Sequence, residues 1–199
     1  MLLAEIEIWH SRPAQPTRRL ALGHLVLPVD PAPGFGGLLL GAIVAEYLYG
    51  VDDDLVTDVH RLLSSIERGD RVVQPRLRYR FQVDRHGLAK SHHQMIGNGD
   101  DISFDFRSVG TDLAQVLGAI YAVERFAPEH RRAIVPVLQK AARWRGPIGP
   151  AMIAYLAGSQ TLALEALADP RAWALGVLGF ELGAKSPSKR DVTAKFRER

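Results

Sequence analysis

The sequence predicts an α+β protein: a mainly antiparallel sheet of about five strands covered by helices, followed by a helical C-terminal part. Three observations carry that expectation. Residues 35–49, FGGLLLGAIVAEYLY, form the most apolar run of the chain, with Glu46 as its only charge, and read as a core helix buried by its neighbours. Several short segments alternate apolar and polar side chains, the period of a half-buried strand. From residue 111 the apolar spacing becomes helical, with Pro128 placed to open a helix.

Composition sets the outer limits. At 199 residues the chain is long enough to bury about 70% of its unfolded surface in one core. With no cysteine, disulfides and thiolate metal sites are excluded, which fits a reducing compartment; cytoplasm is the expected location. The start, MLLAEIEIWH, lacks a basic segment followed by a long apolar one, so no signal peptide is expected. The core run is shorter than the roughly 20 residues a bilayer needs and holds three glycines, so no membrane span is expected either.

Taken in order, residues 3–9 place Ala4, Ile6 and Ile8 on one side and Glu5 and Glu7 on the other. Residues 18–27 read as a second strand, forming a hairpin with the first. The core helix follows over 36–49. A second helix over 52–68 carries Leu55, Val59, Leu62, Leu63 and Ile66 on one stripe, with Asp52 to Asp54 at its start and Gly69 as its stop. Residues 76–83, 88–96 and 102–107 alternate again, separated by turn residues at 84–87 and 97–99, and predict an antiparallel meander. The helices at 36–49 and 52–68 are the expected cover for its apolar face. Thr111 and Asp112 open a helix bearing Leu113, Val116, Leu117, Ile120 and Tyr121. Pro128 opens another, which Pro136 is expected to kink or break. The Gly/Pro-rich segment 145–150 is the expected edge of a first domain over 1–145, followed by an elbow with short helices over 146–168 and a separate helical segment over 169–199.

Candidate chemistry is sparse. Arg76, Arg78 and Arg80 alternate along one strand and offer an anion-binding ladder for nucleic acid or an acidic peptide. The competing reading is cross-strand neutralisation by Glu5, Glu7 and Asp105. Gly34 to Gly37 run into the core helix, where free amides would suit an anion, but the spacing matches no phosphate-binding motif and tight turning explains it as well. Seven histidines are scattered without i, i+4 pairing beside a glutamate, and the neighbours His92 and His93 must point to opposite faces of a strand. No metal site, cofactor or catalytic residue is expected, and the chain is not read as an enzyme.

The charge is concentrated at one end. The net charge is +3, yet residues 185–199 alone carry six basic and two acidic side chains, leaving residues 1–184 at −1. Such a body lacks the broad positive footprint of a nucleic-acid-binding protein. In the tail, Asp169-Pro170 opens a short helix through Trp173, Leu175, Val177 and Leu178. After a loop, Ser188 and Asp191 have the spacing of a capped start, and Val192 and Phe196 share a face at i, i+4. Lys189, Arg190, Lys195 and Arg197 make the other faces basic.

This order resembles the first two helices of a J-domain, the module by which DnaJ-like co-chaperones engage DnaK-type chaperones. The matching text is Trp173-Ala174-Leu175-Gly176-Val177-Leu178-Gly179 and then residues 187–199, PSKRDVTAKFRER. The resemblance covers about thirty residues and implies a fold of paired helices, with Val192 and Phe196 facing the first helix. It further implies that Lys189, Arg190, Lys195 and Arg197 form the surface that approaches the chaperone. J-domains carry a His-Pro-Asp tripeptide in the loop after the second helix; this sequence does not reach that loop, and the natural protein is expected to continue past Arg199. The expected function is therefore a co-chaperone whose N-terminal domain binds a client or partner. The alternative is a non-catalytic ligand- or nucleic-acid-binding module using Arg76, Arg78 and Arg80, with the tail as a basic extension.

Overall fold

The computed structural model describes residues 1–11, 18–70, 79–81, 85–98 and 101–158. The tail and its J-domain-like text lie outside the described residues, as do Arg76 and Arg78. Strands β1 (Leu2–His10), β2 (Arg18–Val26), β3 (Tyr79–Phe81), β4 (Ala89–Asn98) and β5 (Asp101–Arg107) form one sheet in the order β3-β2-β1-β4-β5. Four of them, β2-β1-β4-β5, are antiparallel neighbours, and the three-residue β3 runs parallel to β2 at one edge. With helices α1 (Gly34–Tyr47), α2 (Asp53–Arg68), α3 (Asp112–Glu124), α4 (Pro128–Ala141) and α5 (Pro150–Ala157), the architecture is α+β.

The expected meander is corrected at one position. β3 does not neighbour β4, because β2 and β1 stand between them. The reason lies in β1, whose residues 4, 6 and 8 are fully buried and which pairs with β4 along eight rungs. The β4–β5 half of the meander forms as expected, in unbroken register from His92 opposite Arg107 to Asn98 opposite Asp101.

α1 is the centre of the molecule. It packs on β1 and β4 from one side and on α3, α4 and α5 from the others, and every residue from Gly34 to Val44 is buried while Glu46 is exposed. The glycines set the approach distance. A Cβ built on Gly41 would stand 2.9 Å from Leu156 Cδ1, and one on Gly118 of α3 would stand 2.6 Å from Ile8 on β1. α3 is apolar on nearly all faces too, and it shares the sheet-covering position with α1. The amphipathic α2, expected against the sheet, instead packs chiefly on α3 and α4 with Val59, Leu62, Leu63 and Ile66. A helix with one apolar stripe suits an outer layer, whereas helices without a polar face must take the inner one.

Local signals behave as their chemistry requires, with two exceptions. The Thr111 hydroxyl accepts from the Ala114 amide at 3.4 Å, and Gly69 adopts φ +72° to close α2. Asp52 holds the N-cap position, but its side chain makes no capping hydrogen bond. α4 runs through Pro136 rather than ending there. Pro136 is exposed, as is Arg132 four residues earlier, so water can satisfy the carbonyl that proline leaves without a donor. Beyond the Gly/Pro segment, α5 contributes Met152, Ile153, Leu156 and Ala157 to the same apolar cluster as α1 and α4. Residues on both sides of the segment thus share one core.

Candidate functional site

Strand alternation gives the sheet a polar face, and its centre is a pair of carboxylates two residues apart on β1. β2 and β4 flank them. Glu5 Oε1 lies 3.1 Å from His24 Nε2; its Oε2 lies 3.0 Å from His92 Nε2 and accepts from Gln94 Nε2 at 3.1 Å. Glu7 Oε1 accepts from Lys90 Nζ at 2.9 Å, and its Oε2 accepts from the Trp9 indole and the His24 backbone amide, both at 3.2 Å. Burial works to raise both carboxyls, but these donors outweigh it. The hydrogen bonds from His92 and Gln94, with the charges of His24 and His92, hold Glu5 below the ordinary carboxylate range. Those from Lys90, the His24 amide and Trp9 take Glu7 down to about 2. Arg85 and Lys90 lie over the Trp9 ring at 5.7 and 5.8 Å from its centroid.

All four carboxylate oxygens therefore have at least one donor partner, and both carboxyls are held in the ionised form. Among the described residues, no three His, Asp or Glu side chains are arranged to hold a metal ion, and no helix is long and apolar enough to cross a membrane.

A second polar cluster lies buried on the helix-covered side. His10, Ser11, Ser91, His93 and Gln115 are all nearly or fully inaccessible. The Ser91 hydroxyl accepts from the Val109 amide at 2.9 Å and donates to the Val109 carbonyl at 3.1 Å, so one side chain serves both backbone groups of that loop residue. The Gln115 amide nitrogen donates to the same carbonyl at 3.1 Å, which turns its oxygen toward His93 Nε2 at 2.9 Å. An amide oxygen only accepts, so His93 carries its proton on Nε2. Its Nδ1 is left as a buried lone pair with no protein partner. Burial pushes the His93 pKa down and keeps the ring neutral, against the opposing Gln115 hydrogen bond. Tyr47 and Phe106 pack around the ring at 5.6 and 5.5 Å between centroids. His10 Nε2 stands 3.5 Å from the Ser91 hydroxyl, which is inaccessible and tied to Val109; this Ser–His contact holds a loop in place.

The structure places the sequence-derived candidates as follows. Lys189, Arg190, Lys195 and Arg197 lie outside the described residues. Of the arginine ladder, only Arg80 is described, by its backbone register opposite Arg19. The competing reading, neutralisation of the arginines by Glu5, Glu7 and Asp105, falls on arginine side chains outside the described residues. Glu5 and Glu7 are held by β2 and β4 donors, and Asp105 lies 2.7 Å from Arg107, because β1 sits between β2 and β4 rather than beside β3. The amides of Gly36 and Gly37 donate to the carbonyls of Pro28 and Pro33 at 2.7 and 3.0 Å, so the start of α1 is a packed turn and not an anion cradle. His92 and His93 do face opposite sides of β4. The partners of Glu5 and the role of Gln115 were not foreseen. Ser91 and His93 were detectable as polar residues in the buried parity of β4, four and two positions from Met95.

No protein-family model matches the chain, and no curated protein or solved structure is significantly similar to it.

Proposed function

We propose that this chain is a J-domain-type co-chaperone of the cytoplasm, in which the α+β body binds a client or partner and the basic C-terminal segment engages a DnaK-type chaperone. The observation that carries the reading is the ordered text Trp173 to Gly179 followed by residues 187–199. Its sequence pairs an apolar stretch ending in leucine-glycine with a stretch in which Val192 and Phe196 stand four residues apart among Lys189, Arg190, Lys195 and Arg197, the order that resembles the first two helices of a J-domain. The low-lying, hydrogen-bonded carboxylates of the polar face favour a binding body over an acid–base catalyst, which needs a carboxyl poised near the working pH. The test is retention of the chain on an immobilised DnaK-type chaperone at low and high salt. Weak retention that salt abolishes and that Arg190→Ala with Arg197→Ala removes is the expected result. Retention indifferent to both, or none at low salt, overturns the proposal.

A second reading has one observation of its own. The β3 register sets the backbone of Arg80 opposite Arg19 next to β2, and Arg76 and Arg78 precede Arg80 at alternating positions in the sequence. On a polyanion column, loss of retention in Arg78→Ala but not on deletion of residues 185–199 would select it.

A further inference from the structure

β5 stands at the end of the sheet order, seven residues long, in regular register with β4 and without a bulge. Among the described residues its one extensive packing partner is β4. Natural edge strands are commonly blunted by charged side chains, above all lysine, by proline, by bulges or by a covering element. β5, DISFDFR, contains neither lysine nor proline, and its charges, Asp101, Asp105 and Arg107, are of both signs and so can pair across an edge as well as repel.

Its sequence is complementary to its own reverse. When a second copy lies antiparallel with the two-fold axis through Phe104, Ile102 meets Phe106, Phe104 meets Phe104, Ser103 meets Asp105, and Asp101 meets Arg107 at both ends. Residues 102, 104 and 106 keep to the helix-covered face and 101, 103, 105 and 107 to the other, so every rung pairs like with like in polarity. The neighbouring registers fail on charge or face, and axes at Ile102 or Phe106 keep both but leave only three rungs within β5. Moving the axis to Ser103 sets Asp101 against Asp105, and moving it to Asp105 sets that residue against itself. A shift of one rung puts Ile102 against Asp105. Arg107, 70% exposed and 2.7 Å from Asp105, can keep that contact while facing the Asp101 of the second copy. Ile102 is buried, and Phe104 and Phe106 are half-buried against the core, so the apolar row is already held in line.

We propose that β5 is a homodimer interface: two copies of this chain join edge to edge about Phe104 and merge their sheets into one. Such an isologous contact closes on itself and leaves no further edge of this kind for growth. The source of the pairing strand is this chain, not an extended peptide from another protein, because the selected register depends on Asp101 and Arg107 being present together.

Sedimentation equilibrium of the full chain across a concentration series tests the proposal. The wild type should show a reversible monomer–dimer equilibrium. Asp101→Arg and Arg107→Asp each place like charges opposite at two symmetric positions and should weaken it on the order of tenfold. The double substitution exchanges the two signs and should restore it. A wild type that stays monomeric at all accessible concentrations overturns the proposal, as does a dimer that the double substitution fails to restore. Should a single variant misfold, amide hydrogen exchange of the wild type decides. Alternate β5 amides must gain protection as concentration rises, and concentration-independent exchange overturns the proposal.

Discussion

Replacing Gln115 by leucine isolates the energetics of the buried polar cluster. Gln115 is fully inaccessible and does two things: it accepts from His93 Nε2 and donates to the Val109 carbonyl. Leucine preserves the volume and removes both. The Val109 carbonyl keeps the Ser91 hydroxyl at 3.1 Å, so its loss is small. His93 is worse placed, because its Nε2–H loses its acceptor while Nδ1 already lacks a protein partner. A stranded buried donor costs about 1–3 kcal/mol. For a chain of this size that is a fall in Tm of roughly 2–12 °C. Adding His93→Phe removes the stranded group, and an apolar pair in place of a hydrogen-bonded pair is close to neutral. The double variant should thus be more stable than Gln115→Leu alone, with a coupling of about 0.5–3 kcal/mol. Urea unfolding followed by tryptophan fluorescence, with all four proteins at one pH, measures the cycle. Acid adds a second reading of the same group. An unfolded imidazole binds its proton near pH 6.5, whereas burial depresses the folded value, so the unfolded state takes up more protons as pH falls below about 6.5. The stability present above that pH is lost toward acid, by at most about 1.4 kcal/mol per pH unit, and His93→Phe should remove this slope. Additive single effects, or an unchanged slope in His93→Phe, would refute the account of the cluster.

Two further outcomes follow from the polar face and the helix packing. The folded Glu7 carboxyl sits at about 2 against an ordinary 4.5, so its contribution is complete above about pH 4.5 and lost as pH falls toward 2; Glu7→Gln should lower stability by a constant amount above pH 5 and flatten its fall between pH 4.5 and 2, as read by urea unfolding followed by circular dichroism at a series of pH values. Gly118→Ala introduces a Cβ 2.6 Å from Ile8 Cδ1 and Cγ2 in a fully buried contact and should cost about 1–3 kcal/mol; in thermal unfolding, combining it with Ile8→Ala must cost less than the sum of the two alone.

What was legible in the sequence divides by the range of the interaction. The core helix could be read from residues 35–49 because a run with one charge among fifteen residues has no polar face to expose, and Glu46 is indeed its outlet to solvent. The faces of β1, the Thr111 cap and the Gly69 stop depend on spacings of two to four residues. Strand order does not. The partner of β4 is β1, more than eighty residues away, and nothing in the local text of residues 76–96 reveals that β3 pairs elsewhere. The partners of Glu5 were hidden for the same reason, since His92 and Gln94 lie 87 and 89 residues along the chain. Gln115 was hidden differently: on a helix buried on almost every face, a polar residue breaks no periodic pattern.

The buried cluster and the outer strand belong to one mechanical unit. Val109 follows β5 by two residues, and its amide and carbonyl are fixed by Ser91 of β4, with Gln115 of α3 as a second donor to the carbonyl. Phe106, the penultimate residue of β5, is held between Tyr47 of α1, His93 of β4 and Phe104. An edge strand pairs with a second copy only if its backbone groups are presented in a straight row, and freezing that row during association would otherwise cost about 1–2 kcal/mol per residue. The anchor at Val109 and the rings around Phe106 meet that cost during folding. A polar network set in an apolar interior is costly unless fully satisfied. The network sits where β5 ends, so that what it costs and what it fixes are both felt by the outer strand: weakening it should loosen Val109 and Phe106 together.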